Sequence, residues 1–173
     1  MLFDTLIEQV ETPELLAILG HEIGHWKLGH TIQQLIISQV YMLVFFLAFS
    51  YLTSSKEMLQ DFGFAANEPA PVFIGLSLFS STFWAPVDKL LTLAMSSLSR
   101  FNEFAADAFA RDLRPGMGDD LAQGLIKISK ENLGNLVPDP FYASYHFSHP
   151  PVVDRLREVR QKPSKSGQPK KDD

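Results

Sequence analysis

The sequence predicts an all-α fold in which about two helices cross a membrane. Two long apolar stretches lead to this prediction, over about residues 32–53 and 70–98. The first stretch has no charged residue, and about 20 apolar residues in a helix are enough to cross the hydrocarbon core of a bilayer. No segment alternates apolar and polar residues as a half-buried strand would. We therefore expect membrane lipid as a partner, and a soluble protein with apolar core helices is the alternative.

Composition excludes several kinds of site and partner. The chain has 173 residues and no cysteine, so it holds no disulfide, thiolate metal site or cysteine nucleophile. Its net charge of −5 gives no support for a nucleic-acid partner. We expect one domain over residues 1–162 and a disordered, basic tail over 163–173.

The first predicted element is a helix that starts at Thr12. Thr12 is a good N-cap residue, and Pro13 suits the first helical position. Gly20 and Gly24 lie inside this helix, where each glycine costs about 1 kcal/mol relative to alanine. We expect a neighbouring helix to pass close to these glycines and to compensate for that cost.

This helix carries His21-Glu22-Ile23-Gly24-His25, the HExxH pattern of zinc peptidases. Histidines four residues apart share one helix face, so both imidazoles can reach one metal ion. A catalytic zinc ion takes three protein ligands and keeps a position open for water. Glu22 lies beside His21 and could act as a general base on that water. The pattern also occurs by chance, so on its own it is a hypothesis.

The next elements are the two spans, joined by a polar loop over residues 54–68. Within the second stretch we expect Pro86 to kink or break the helix. Asp88 and Lys89 follow, and an ionisable pair in such a stretch most often faces a bundle interior or a cavity.

The following helix supplies the best candidate for a third ligand, Glu103. Its neighbours are mostly apolar, and a carboxylate buried among them needs a cation as partner. Asp107 lies four residues on, on the same face, and could accept a hydrogen bond from the second ring nitrogen of a ligand histidine. The alternative is a solvated face in which Glu103 and Asp107 pair with Arg100 and Arg111.

The C-terminal part is predicted as two further helices. A turn rich in glycine and proline over 114–118 precedes a helix over about 119–132. An irregular stretch over 137–151 leads to a last helix over about 152–160.

Several sequence blocks together resemble those of the membrane-embedded type I CAAX prenyl proteases, which are zinc enzymes that process farnesylated proteins. The blocks occur in the family's order and are Leu2–Leu6, His21–His30 (HEIGHWKLGH), Phe101–Phe109 (FNEFAADAF), Asn132–Gly134, Ser148–Pro151 and Arg155. Together they are far more specific than the HExxH pattern alone. The resemblance implies a helical, zincin-type metallopeptidase fold.

The resemblance also implies a role for each site residue. His21, His25 and Glu103 would bind one zinc ion, Glu22 would be the general base, and Asp107 would support a ligand histidine. His149 and Arg155 would hydrogen-bond the scissile peptide or stabilise the developing oxyanion. His30 belongs to the family pattern, but on a continuous helix it would lie about 180° from His21, so we expect it to be a poor ligand.

The implied activity is removal of the C-terminal aaX tripeptide from prenylated CaaX proteins. The resemblance implies a multi-pass protein of the endoplasmic reticulum membrane. It allows the inner nuclear membrane as a further location. Family members have several spans before the metal helix, so we expect this chain to be the C-terminal catalytic part, with those upstream helices as missing partners.

Three other readings stay open at this point. The first is a membrane zinc peptidase of protein quality control, which would use the same chemistry on unprenylated substrates. The second is a non-catalytic membrane fragment that only binds zinc. The third is a soluble helical domain with an accidental HExxH.

Overall fold

The described part of the chain is helical, as predicted. The computed structural model describes residues 4–53, 60–65 and 71–160, and it has no strand within these ranges. The helices are α1 Asp4–Gln9, α2 Thr12–Lys27, α3 His30–Thr53, α4 Val72–Leu78, a π-helical segment Phe79–Trp84, α5 Ala85–Asp112, α6 Met117–Glu131, α7 Pro140–His146 and α8 Val152–Val159. The chain forms two compact units, one of Met1–His30 with Ser96–Asp173 and one of Thr31–Met95. The predicted basic tail, 163–173, and most of the predicted loop, 54–68, lie outside the described residues.

The core of the first unit forms where α2 packs on α6 and α6 packs on α8. Its buried side chains are Ala17, Ala110, Met117, Leu121, Ala122 and Val159. Three of these six are alanines, whose small side chains allow the helix backbones to approach closely. A Cβ atom on Gly24 would lie 3.2 Å from the backbone oxygen of Ala106 on α5, and one on Gly20 would lie 2.9 Å from Leu113 Cδ1. The close passage of a neighbouring helix is therefore confirmed at Gly24, whereas at Gly20 the close atoms belong to side chains.

The start of α2 differs from the prediction by one residue. The N-cap residue is Glu11, not Thr12, and Thr12 is already helical. The carboxylate of Glu14 accepts a hydrogen bond from the backbone N–H of Glu11 at 2.8 Å and a second bond from Lys127 Nζ of α6 at 2.8 Å. The buried carboxylate of Glu14, held by these two bonds, fixes the start of α2. The helix therefore does not need the hydroxyl of Thr12 as a cap.

In the second unit, α3 coincides with the first predicted span. Among the described residues, His30–Leu52 is the helix that is long and apolar enough to cross a membrane. Its apolar side chains are largely exposed, Leu47 at 61% and Tyr51 at 81%, for example. A soluble protein rarely leaves so large an apolar surface uncovered, which argues against the soluble alternative. The second predicted span, 70–98, is helical from Val72 onward. Among the described residues, however, no helix in it is both long and apolar enough to cross a membrane, so this span stays a prediction.

The break expected at Pro86 in the second apolar stretch is not found, and the alternative kink stays a prediction. Pro86 lies in the first turn of α5, directly after the π-helical segment, and the helical conformation continues. Asp88 has a partner on α3, as expected of an ionisable residue in such a stretch. Tyr41 Oη donates to Asp88 Oδ1 at 2.8 Å, and Trp84 Nε1 donates to Tyr41 Oη at 2.9 Å. Phe79 is buried beside this group in edge contact with Phe45.

The C-terminal elements differ from the prediction mainly at α7. The stretch 137–151, predicted as irregular, contains this short helix, because Asp139 Oδ1 caps it by accepting the Tyr142 N–H at 2.9 Å and Pro140 suits its first turn. The helix α6 starts at Met117, two residues earlier than predicted, directly after Gly116, which has a φ of +87°. The last helix ends at Val159.

Candidate metal centre

His21, His25 and Glu103 bring their ligand atoms together in the first unit. One turn of α2 places His21 Nε2 3.1 Å from His25 Nε2. From α5, Glu103 Oε2 lies 3.6 Å from His21 Nε2, and Glu103 Oε1 lies 3.5 Å from His25 Nε2. One atom from each of the three residues falls within 4.8 Å of the others. The three predicted ligands therefore meet at one point.

The donor set fits a zinc ion. Ligand atoms at about 2.0–2.1 Å from zinc in tetrahedral geometry lie about 3.3 Å apart, close to the separations found here. Asp107 Oδ1 lies 2.8 Å from His21 Nδ1, so the ring proton of His21 sits on Nδ1 and the lone pair of Nε2 faces the cluster. Two histidines and one glutamate form a ligand set of catalytic zinc sites, with one position left for water.

Glu103 is buried and ionised. Its side chain is only 7% exposed, and burial alone would raise its pKa. A hydrogen bond from His149 and the charge of Arg155 outweigh burial, so the pKa of Glu103 is lowered below its usual range. The solvated face considered from the sequence is therefore wrong for Glu103 and Asp107, which lie in the interior.

Asp107 and Arg155 form a bidentate pair at the back of His21. Arg155 Nε and Nη2 donate to the two Asp107 oxygens at 2.8 and 2.7 Å, and Arg155 Nη1 lies 3.2 Å from Glu103 Oε2. Asp107 is fully buried. Burial would raise the pKa of Asp107, but the hydrogen bonds from Arg155 and His21 lower it on balance. The carboxylate is therefore a charged acceptor that orients His21.

His149 reaches the cluster from the loop between α7 and α8. Its Nδ1 lies 2.9 Å from Glu103 Oε1, while 67% of its side chain is exposed. The hydrogen bond to Glu103 raises the pKa of His149. His149 is thus a donor at the solvent side of the cluster, whereas Arg155 has its donors occupied by the two carboxylates and is 13% exposed.

Glu22 is exposed beside His21 on α2. Burial and the nearby His21 lower the pKa of His25, and the charges of Glu103 and Glu22 oppose that shift. The negative charge of Glu22 also acts on Arg155. The carboxylate therefore lies near the cluster and open to solvent, as a general base requires.

The contact of His30 with the site was not predicted. On one continuous helix His30 would lie far from His21, but α2 ends at Lys27 and α3 begins at His30. The break lets His30 Nδ1 lie 3.0 Å from His25 Nδ1, on the side of that ring away from His21. The signal that could have revealed it is Gly29, a residue suited to ending a helix, which has a φ of +74°.

A cavity of about 690 Å³ borders the cluster. His149 and Arg155 form part of its wall. The apolar part of the lining comes from α6, α8 and the loops beside α7 and consists of Leu125, Ile128, Leu136, Phe147, Pro150, Pro151 and Val152. Ligand cavities are commonly of this size, mostly apolar with a few polar groups.

The chain is similar to known proteins over most of its length. Residues 1–162 match the model of peptidase family M48. A CAAX prenyl protease 1 homolog of Oryza sativa subsp. japonica is 40% identical over 95% of this chain and 38% of that protein. The Homo sapiens homolog is 43% identical over 85% of this chain and 30% of that protein. CAAX prenyl protease 1 of Saccharomyces cerevisiae is 34% identical over 90% of this chain and 36% of that protein.

A solved structure shares the fold. The crystal structure of S. mikatae Ste24p matches with a TM-score of 0.80 at 32% identity and covers 92% of this chain and 39% of that one. The chain thus spans only about a third of the length of the relatives that it matches.

Proposed function

The chain belongs to peptidase family M48, and from this membership we propose that it is the catalytic part of a membrane zinc endopeptidase that removes the C-terminal aaX tripeptide from prenylated CaaX proteins. The observation that carries the proposal is the meeting of His21, His25 and Glu103 within 4.8 Å, with Glu22 beside them. The names of the relatives, CAAX prenyl protease 1, support the substrate class.

The residues of this chain divide the catalytic work between them. His21, His25 and Glu103 would hold the zinc ion, which when bound polarises the scissile carbonyl and makes water a better nucleophile. Glu22 accepts a proton from the attacking water and later delivers it to the leaving amine. His149, the exposed donor, hydrogen-bonds the carbonyl oxygen as negative charge develops on it. Arg155 supports this arrangement by holding Asp107 and Glu103 in place.

The setting of the reaction is part of the proposal. We place the protein in the endoplasmic reticulum membrane, or also the inner nuclear membrane, as a multi-pass protein. The apolar surface of α3 supports contact with lipid. The apolar cavity beside His149 would suit the aliphatic residues of an aaX tripeptide.

Cleavage by the purified chain in detergent tests the proposal. We expect zinc-dependent release of the tripeptide from a farnesylated CaaX peptide. The variant Glu22→Gln should bind zinc like the wild type but lose about 10²–10⁴-fold in kcat, because general-base catalysis is lost. The exposed Glu131→Gln is the matched control and should keep full activity.

Three results would contradict the proposal. Full activity of Glu22→Gln would remove the assigned base. Equal cleavage of an unprenylated membrane substrate would favour a quality-control peptidase. Zinc binding without any cleavage would favour a non-catalytic zinc-binding chain.

A further inference from the structure

The two metal-binding histidines of α2 each have a partner behind the ring. For His21 the partner is Asp107, at 2.8 Å from Nδ1. For His25 it is His30, whose Nδ1 lies 3.0 Å from His25 Nδ1, with the two rings inclined at 75°. An edge contact of this kind allows one N–H to point at the lone pair of the other ring.

The metal site decides which ring donates, so this step rests on the proposed function. His25 Nε2 faces His21 Nε2 at 3.1 Å and Glu103 Oε1 at 3.5 Å, which is the ligand position. A ligand nitrogen carries no proton, so the ring proton of a neutral His25 is on Nδ1. Because two nitrogens at 3.0 Å can share only one hydrogen, His30 Nδ1 is the acceptor and carries its own proton on Nε2.

We propose that His30 is a positioning residue that fixes the tautomer and the orientation of His25 for zinc binding. The two ligand histidines then have different supports, a charged carboxylate for His21 and a neutral imidazole for His25. Outer partners of this type hold a ligand ring in one orientation, and their loss typically costs about 10–100-fold in metal affinity.

The turn between α2 and α3 makes this contact possible. The last turn of α2 ends at Lys27, Gly29 takes a φ of +74°, and His30 begins α3. A left-handed conformation costs glycine little, so the chain can leave α2 at Gly29 without strain. His30 is half-buried, which is consistent with a ring held against His25 rather than free in solvent.

Zinc affinity, measured on the purified chain in detergent by competition with a chelator, tests this role apart from peptidase activity. His30→Phe keeps the ring but removes the acceptor, and it should weaken zinc binding about 10–100-fold. His30→Asn places an amide oxygen near the position of Nδ1, and it should restore most of that affinity. His146→Phe is the matched control, because His146 is exposed and contacts Tyr142 and Tyr145 instead of the cluster.

The visible absorption of the cobalt-substituted chain gives a second readout. It should change in His30→Phe and return toward the wild-type spectrum in His30→Asn, since ligand orientation sets the geometry around the ion. Should His30→Phe lose helical circular dichroism, His30→Ala replaces it in the same comparison with His30→Asn.

The outcomes separate this inference from the proposed function. Wild-type zinc affinity in His30→Phe overturns the inference, and so does an equal loss in the Phe and Asn variants, which would indicate packing alone. A wild-type chain that binds no zinc would instead contradict the metal centre itself.

Discussion

Asp107 lies 2.8 Å from His21 Nδ1, so in the proposed metal centre it would leave Nε2 of His21 to face the zinc ion. In Asp107→Asn the bidentate pair with Arg155 is lost, and the buried guanidinium keeps its ion pair with Glu103 but loses the one with Asp107. Breaking a buried ion pair costs about 3–5 kcal/mol, so we expect a lower free energy of unfolding by that amount. Zinc affinity should fall about 10–100-fold because His21 loses its charged acceptor.

Denaturant unfolding and chelator competition measure the two effects. Asp112→Asn is the control on the same helix, since Asp112 is exposed and pairs with its neighbour Arg111. Unchanged zinc affinity in a folded Asp107→Asn chain would show that Asp107 does not orient His21.

Glu14 links stability to pH through its contact with Lys127. Burial raises the pKa of Glu14, but the hydrogen bonds from Lys127 and from the Glu11 backbone lower it on balance. A lowered folded-state pKa means that stability is fully present above the unfolded value of about 4.3 and is lost as the pH falls through the folded value. Glu14→Gln should therefore lose less stability than the wild type when both are acidified below about pH 4.

Thermal midpoints at a series of acidic pH values check this expectation. Glu8→Gln is the control, because Glu8 is exposed on α1. Parallel pH dependence of the wild type and Glu14→Gln would contradict it.

Single residues could be predicted from sequence where spacing alone carries the chemistry. The spacing of His21 and His25 on one helix face was enough to predict that their rings lie together, and the apolar surroundings of Glu103 were enough to predict its burial. The contact of His30 with His25 could not be predicted in this way, because it depends on where α2 ends. The ion pair of Glu14 with Lys127 joins residues far apart in sequence, so no local pattern predicts it.

At the scale of the helices, Gly24 sets the distance between α2 and α5. A Cβ atom there would meet Phe109 Cδ1 at 3.0 Å and the Ala106 backbone at 3.2 Å. Gly24→Val should lower the free energy of unfolding by about 1–3 kcal/mol, because the helices must separate or strain to accept the side chain. It should also weaken zinc binding, since Glu103 belongs to the displaced helix.

Unfolding and zinc competition in detergent measure both effects. Gly134→Val is the control, because the nearest atom to a Cβ there is the Ser129 oxygen at an ordinary 3.6 Å. Equal stability of Gly24→Val and the wild type would contradict this prediction and would mean that α2 and α5 can move apart at little cost in free energy.

Helix positions were predictable, but some helix ends were not. The apolar runs and the proline and glycine signals predicted α3, α6 and α8 to within two residues and the start of α2 to within one, whereas the end of α2 was not predicted. The start of α2 shifted because a buried carboxylate replaced the hydroxyl cap expected at Thr12. The short helix α7 was missed because seven residues are too few for a periodic pattern, and its cap at Asp139 is the main local signal.

At the scale of the whole chain, the cluster of His21, His25 and Glu103 lies within one of the two compact units. All of its residues come from Met1–His30 or from Ser96 onward. A ligand that binds only the folded state stabilises it, by about 2.7 kcal/mol at a hundred times its Kd. Chelation should therefore reduce hydrogen-exchange protection in 12–27 and 100–112 and leave 31–53 nearly unchanged.

Hydrogen exchange with and without chelator makes that comparison. The variant His21→Ala should show the reduced protection before chelation and no further change after it. A uniform loss of protection over both units would contradict a local metal effect.

The all-α class followed from the sequence because long apolar runs and the absence of alternation act over many residues. The division into two units follows the same signal, because its boundaries at 30/31 and 95/96 lie within three residues of the outer ends of the two predicted apolar stretches, 32–53 and 70–98. Residues of the first unit come from both ends of the described chain, which only tertiary packing brings together.

The π-helical turn over Phe79–Trp84 shifts the angular phase of everything that follows it on the same helical path. Each residue of an α-helix advances about 100° around the axis, and a π-helical turn takes in about one residue more than an α-helical turn does. Asp88 therefore projects in a direction that an unbroken α-helix from Val72 would not give it, and Tyr41 meets it there. The residues before and after the π-helical turn therefore follow two different helical phases. A single α-helical period applied to the whole stretch does not align their apolar positions on one face.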